Sequence, residues 1–112
     1  MITLYVSNCR QNEKNTIYPK KVEICSVNDL KTAVSSDYVC ARYKGNKRGN
    51  DNFIESDCLP FDIDNDHTED EGKWIKPSDI AAKFPDVEFF VHYSRNNMKE
   101  KDGRKARPKF HV

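Results

Sequence analysis

Three aspartates alternate with other residues in the segment FDIDNDH, residues 61–67. In an extended strand successive side chains point to opposite faces, so Asp62 and Asp64 would share one face and Phe61 and Ile63 the other. Two carboxylates about 7 Å apart along a strand repel each other, and a hard divalent cation with oxygen ligands removes that repulsion. The segment therefore predicts a site for Mg²⁺ or Mn²⁺ on Asp62 and Asp64.

The last six residues, RPKFHV, alternate in the same way. The apolar face would carry Pro108, Phe110 and Val112, and the polar face Arg107, Lys109 and His111. A guanidinium binds oxygens as a fork, an ammonium adds a compact charge, and an imidazole can donate a proton, so this set suits a polyphosphate. Together the two segments predict a site for a metal ion and a triphosphate.

Several other readings of these residues are open. A short Asp-x-Asp also occurs in exposed loops, a basic edge strand can serve only to prevent aggregation, and His111 can be an ordinary surface residue. His92, inside VEFFVHYS, is typical of a packed and hydrogen-bonded strand residue. A calcium-binding EF-hand loop is excluded, because the positions that require glycine and glutamate hold His67 and Lys73.

The charges are segregated, although the formal net charge is only +1. Residues 55–71 contain eight acids and no Lys or Arg, whereas residues 92–111 contain seven Lys or Arg and two acids. A smaller basic group lies in a loop rich in Gly and Asn, and consists of Arg42, Lys44, Lys47 and Arg48. Such blocks are often solvated loops, but they can also place a cation site beside an anion site.

At 112 residues the chain is predicted to form one domain around a single core. It has no apolar run near the roughly 20 residues that span a bilayer, and its start does not resemble a signal peptide, so we expect a cytoplasmic protein without a membrane partner.

The four cysteines, Cys9, Cys25, Cys40 and Cys58, form no CxxC pair, which argues against structural zinc and predicts free, mostly buried thiols.

The order strand, helix, strand occurs in both halves. The predicted strands are ITLYVS, TIYPKKVEICSV, DYVCARY, CLPFDID, a buried VEFFVHYS, and RPKFHV. The predicted helices are DLKTAVSS, capped by Ser26 or Asn28, and PSDIAAKF, begun by Pro77 and ended by Pro85. This pattern favours an α+β fold with a mixed or antiparallel sheet and helices on one face. Because the last strand stops at Val112, we expect the sequence to be an N-terminal piece of a longer protein.

Three separated segments, DCLPFDIDNDHTED, FPDVEFFVHYSRNNMK and ARPKFHV, resemble the primase-like N-terminal domain of phage and prophage replication proteins in the archaeo-eukaryotic primase superfamily. The resemblance extends upstream through NTIYPKKVEI, DLKTAVSSDYVCARY and RGNDNFIESDCLPFD, and so covers nearly the whole chain. It implies a single domain over residues 1–112 with a primase-polymerase core of RRM-like type. Such domains are often fused to a helicase of the virulence-associated E type.

The resemblance also implies roles for individual residues. The family's metal-binding Asp-x-Asp falls on Asp62 and Asp64, and its nucleotide-binding histidine on His111. Phosphate-facing positions fall on Arg107 and Lys109, and a further nucleotide-binding segment on Ser94 and Arg95. The third motif, an acidic residue on a later strand, has no counterpart. The resemblance thus implies a truncated catalytic core, and we expect no primer synthesis by this chain alone.

The implied reaction is template-directed nucleotidyl transfer, with Mg²⁺ or Mn²⁺, a nucleoside triphosphate and a DNA template. The basic loop from Arg42 to Arg48 and the turn over residues 99–105 would hold template phosphates, which predicts salt-sensitive and sequence-tolerant binding. One alternative is a non-catalytic nucleic-acid-binding or protein-binding module of a mobile element, such as an inhibitor of a host system. Another is a metal-dependent nuclease or phosphatase, since Asp-x-Asp faces serve those enzymes too.

Overall fold

The computed structural model describes residues Met1–Val112 and divides them into two compact units, Met1–Leu59 and Pro60–Val112. Each unit contains antiparallel strands and one α-helix, which confirms an α+β fold. The strands form three small sheets. Tertiary contacts determine which strands pair, and strand-like sequence patterns do not specify those contacts. Neither helix is long and apolar enough to cross a membrane.

The first unit is built on a three-stranded antiparallel sheet. Its strands are β1 (Ile2–Val6), β2 (Lys20–Ile24) and β3 (Tyr38–Val39), in the order β2-β1-β3. Helix α1 (Val27–Ala33) follows β2. The buried apolar side chains of this unit, which form its core, are Leu4, Val6, Tyr18, Ile24, Leu30, Ala33, Val39 and Ala41.

Helix α1 begins at the predicted cap. The Ser26 hydroxyl accepts a hydrogen bond from the backbone N–H of Asp29 at 3.2 Å, which confirms Ser26 as the cap. The Asp29 carboxylate in turn accepts the backbone N–H of Cys25 at 3.0 Å. That hydrogen bond, with a smaller contribution from Ser26, lowers the pKa of the Asp29 carboxyl below its usual 3.8.

The predicted strand DYVCARY is divided between two sheets. Its first part is β3, and its second part is β4 (Arg42–Tyr43), which pairs antiparallel with the unpredicted β5 (Phe53–Glu55). The Ser56 hydroxyl donates to the carbonyl of Cys40 at 2.5 Å, which ties the end of β5 to the connection between β3 and β4. The chain turns between β3 and β4, so that the two parts of the predicted strand pair in different sheets.

The second unit contains a three-stranded antiparallel sheet in the order β6-β8-β7, formed by β6 (Asp62–Ile63), β7 (His92–Tyr93) and β8 (Phe110–His111). The prediction of a long buried strand over VEFFVHYS is wrong, since only two of its residues form a strand and Val87 is exposed. Strand β7 pairs only with β8, so it has a free edge and little cover.

Helix α2 (Pro77–Lys83) begins and ends as the sequence predicts. Pro77 occupies its first turn, where a missing N–H costs nothing, and the Asp79 carboxylate accepts the backbone N–H of Lys76 at 2.7 Å. Phe84 follows the helix in a non-helical conformation, immediately before Pro85.

All four cysteines are free, as predicted, but the prediction that most are buried is wrong: Cys25 is exposed, and the other three are half-buried. They lie in connections between strands or at the start of a helix rather than on strand faces that point into the core. Burial, together with the neighbouring Cys58 thiol, raises the pKa of Cys40 to about 12. A thiol this weakly acidic stays protonated, so Cys40 is not a nucleophile at neutral pH.

Candidate functional site

The pairing of β6 with β8 places Asp62 opposite His111. Phe61 and Val112 exchange both backbone hydrogen bonds, at 2.8 and 2.9 Å, so the next pair along the ladder is a non-hydrogen-bonded one. Opposite residues in such pairs approach most closely, with Cα atoms about 4.5 Å apart. The Nε2 atom of His111 accordingly lies 3.5 Å from Oδ1 of Asp62. A carboxylate and an imidazole thus share one exposed sheet face.

His92 extends this face onto the third strand. It pairs with His111 across β7 and β8, and the two imidazole centroids lie 5.8 Å apart with the rings nearly perpendicular. Burial and, secondarily, the neighbouring His111 lower the pKa of His92 below its usual 6.5, which favours the neutral ring. The position of His92 within VEFFVHYS predicted a packed strand residue, although the alternation of HYS already indicated that His92 and Ser94 face the same way.

Lys109 lies between two carboxylates on the same side of β8. Its Nζ is 3.8 Å from Oδ1 of Asp64 and 3.2 Å from Oδ1 of Asp66, and its side chain is largely buried. Desolvation alone would raise the pKa of Asp66, but the hydrogen bond and charge of Lys109, with Arg104 and Arg107, outweigh it and lower that pKa. Basic side chains of the same unit therefore partly neutralise the negative charge of the acidic segment.

Arg107 is only 1% exposed, so the polar side of the segment, to which the alternation assigns it, is covered at this residue. One terminal nitrogen, Nη2, lies 2.6 Å from Oε1 of Glu69, and the other, Nη1, donates to the backbone carbonyls of Asn65 and Thr68 at 2.9 and 3.3 Å. The guanidinium also lies over the Trp74 ring, 5.5 Å from its centroid. A buried guanidinium needs acceptors for its N–H groups: residues 65–69 of the acidic segment accept from Nη1 and Nη2, and the carbonyl of Lys105 accepts from Nε at 3.2 Å.

Asn65 fixes the backbone between Asp64 and Asp66, a role that no sequence pattern indicates. Its side chain is 3% exposed, donates to the carbonyls of Ile75 and Pro108 at 2.9 and 2.8 Å, and accepts the N–H of Ile75 at 2.7 Å. Its backbone is left-handed, with φ of 56°, a conformation that asparagine tolerates better than most residues. Asn65 therefore positions the acidic segment against β8.

We expect Asn65→Ala to lower the free energy of unfolding by about 2 to 4 kcal/mol, because it leaves three partly buried backbone groups of Ile75 and Pro108 without their partner. Urea denaturation of the purified chain measures the change. Asn46→Ala is the matched control, since Asn46 has a φ of 57° but is exposed, and so reports the cost of a left-handed alanine alone. Equal losses in the two variants would show that the Asn65 side chain contributes nothing.

The remaining predicted site residues lie in two places. Ser94 directly follows β7, is half-buried, and donates its backbone N–H to the carbonyl of Lys109 at 3.0 Å, while Arg95 is exposed in the turn that follows. The predicted nucleic-acid-binding residues belong to the first unit and are all exposed: Arg42 on β4, and Lys44, Lys47 and Arg48 in the loop that follows it. The structure thus brings together Asp62, Asp64, Lys109 and His111 on and beside one sheet.

No group of three or more His, Cys, Asp or Glu side chains converges as a preformed metal cage. The side chains of Asp62 and Asp64 are nevertheless 65% and 48% exposed, and they present hard oxygen donors. Comparison of the chain with family models, with curated proteins and with solved structures gave no match.

Proposed function

We propose that Asp62, Asp64 and His111 form a site for a nucleoside triphosphate and a divalent cation, and that the chain is the N-terminal part of a primase-polymerase acting in mobile-element replication. The observation that carries this proposal is the pairing of Asp62 with His111, side chains 3.5 Å apart on one exposed face. Carboxylate oxygens suit a hard cation, and an imidazole suits the phosphate that such a cation accompanies.

The donor set fits Mg²⁺ or Mn²⁺ better than a closed structural metal site. Mg²⁺ is usually held by one or two carboxylates together with substrate phosphates and water, so two exposed aspartates suffice when a triphosphate is present. When bound, the cation would neutralise phosphate oxygens and lower the pKa of an attacking hydroxyl.

The other residues of the face have distinct tasks in this proposal. His111, whose side chain is 40% exposed, donates a hydrogen bond to a phosphate oxygen, and Asp62 orients its ring. Lys109 holds Asp64 and Asp66 in place through its ammonium group and adds positive charge near the phosphates. Arg107 and Asn65 are positioning residues, because their polar groups are used inside the loop that carries the aspartates.

The test is the affinity for a fluorescent nucleoside triphosphate in the presence of Mn²⁺. We expect His111→Ala to weaken binding about tenfold, the loss typical of one hydrogen bond to a charged group. His67→Ala is the matched control, because His67 is exposed and its ring contacts only a loop carbonyl, that of Lys73, at 3.2 Å. Equal affinity in wild type and His111→Ala would reject the site, and nucleic-acid binding without triphosphate binding would favour a non-catalytic module.

A further inference from the structure

Strands β4 and β5 of the first unit carry an exposed aromatic side chain next to a basic loop. Tyr43 and Phe53 lie opposite each other, with ring centroids 6.3 Å apart and an interplanar angle of 78°. Phe53 is 56% exposed and the neighbouring Ile54 is 46% exposed. An exposed aromatic ring next to positive charge suits a ligand with both apolar and anionic parts.

A register shift between the two strands brings the aromatic rings together. Arg42 pairs with Glu55, whereas the next residue, Tyr43, pairs with Phe53, so β5 contains one extra residue, Ile54. Such bulges redirect side chains and are frequent beside functional sites. The Arg42 guanidinium is neutralised by Glu55 at 3.2 Å, which leaves the positive charge of this region to the loop between the strands.

The loop, residues 44–52, is held in a defined conformation. The backbone N–H of Tyr18 donates to the carbonyl of Asn46 at 2.9 Å, and the N–H of Arg48 donates to the carbonyl of Thr16 at 2.7 Å. The Asn52 amide closes the loop by donating to the carbonyl of Lys47 at 3.0 Å. Exposed basic side chains on a fixed backbone are better placed for a ligand than the same charges on a mobile chain.

Three exposed cations lie on this loop, Lys44, Lys47 and Arg48, against a single acid, Asp51. Phosphates of a nucleic acid complement this charge, and the flat ring of Phe53 complements an unpaired base. A duplex would use the cations but hides its bases, and an apolar protein partner would use Phe53 and Ile54 but not three cations. The combination therefore favours a single strand.

We infer that β4, β5 and the loop between them bind single-stranded nucleic acid, with a base stacked on Phe53 and adjacent phosphates on Lys44, Lys47 and Arg48. In the proposed function, this surface would bind the template strand. The inference rests on the proposed function only for this role in replication. Single-strand binding itself requires neither the triphosphate nor the metal.

The experiment measures fluorescence anisotropy of a labelled oligothymidylate with the full chain, without nucleotide or divalent metal. We expect Phe53→Ala to weaken binding about tenfold, because stacking of a base is lost, and Phe53→Trp to retain it. Phe84→Ala is the matched control, since Phe84 is 47% exposed but lies at the end of α2. Lys47→Ala with Arg48→Ala should weaken binding and reduce its dependence on salt.

Wild-type affinity in Phe53→Ala, with an unchanged thermal unfolding midpoint, would overturn the inference. Equal affinity of the wild type for duplex and single strand would overturn it as well, because phosphates alone would then explain binding. The two proposals fail separately: His111→Ala should leave oligothymidylate binding unchanged, so a chain that binds the strand but no triphosphate rejects only the proposed nucleotide site.

Discussion

Replacement of Asp62 and Asp64 together by asparagine is expected to abolish Mn²⁺ binding measured by calorimetry, and with it the gain in triphosphate affinity that Mn²⁺ provides. Asparagine keeps nearly the same size but removes both negative charges, and a hard cation depends on charged oxygen ligands. No group of three or more acidic or histidine side chains converges on this face, so His111 and His92 are not expected to hold the ion without the aspartates. The double variant should therefore bind the triphosphate equally with and without Mn²⁺.

Two controls separate a metal site from a general loss of negative charge. Asp86→Asn with Glu88→Gln removes two exposed acids at the same spacing, and should leave Mn²⁺ binding unchanged. Lys109→Met removes the ammonium group 3.8 Å from Asp64, and should strengthen Mn²⁺ binding while it weakens triphosphate binding. Unchanged calorimetric affinity for Mn²⁺ in the double aspartate variant would remove the metal site from the proposal.

Replacement of Arg107 by alanine is expected to lower the free energy of unfolding by about 2 to 4 kcal/mol, the range for loss of a large, hydrogen-bonded buried side chain. The variant leaves the carbonyls of Asn65 and Thr68 without a donor and opens space beside Trp74. Trp74 is the only tryptophan of the chain, so its fluorescence during urea denaturation reports on this unit directly.

Arg104→Ala is the matched control for Arg107. Arg104 pairs with Asp66 at 3.4 Å, but its side chain is 46% exposed, so water replaces the lost contact and stability should change little. Arg107→Lys keeps the charge without the planar fork and should be intermediate. If Arg107→Ala unfolds at the same urea concentration as wild type yet loses triphosphate binding, Arg107 contacts the phosphate directly, as the primase resemblance implies.

Local features of this fold were predictable because neighbouring residues determine them. Ser26 and Pro77 begin the two helices, since a side-chain cap and a preset φ act within one turn. The alternation around β6 and β8 predicted polar positions for Asp62 and His111, which pair across the two strands, but Phe61, predicted on the apolar face, is 53% exposed. It did not predict that Lys109 and Arg107 would be covered, because alternation distinguishes the two faces of a strand and not what folds over each.

By itself, the sequence determined the two helices with their caps and the polar positions of Asp62 and His111, but it did not indicate strand β5. Only the tertiary structure decided that His92 joins that face, that Asn65 fixes the acidic segment, and that Arg107 is buried in it. These outcomes depend on contacts between residues far apart in the chain, such as the pairing of His92 with His111 and the hydrogen bond from Asn65 to Pro108, 43 residues away. Side-chain chemistry and short-range periodicity depend on neighbouring residues, whereas burial and strand pairing depend on which distant segments the fold brings together.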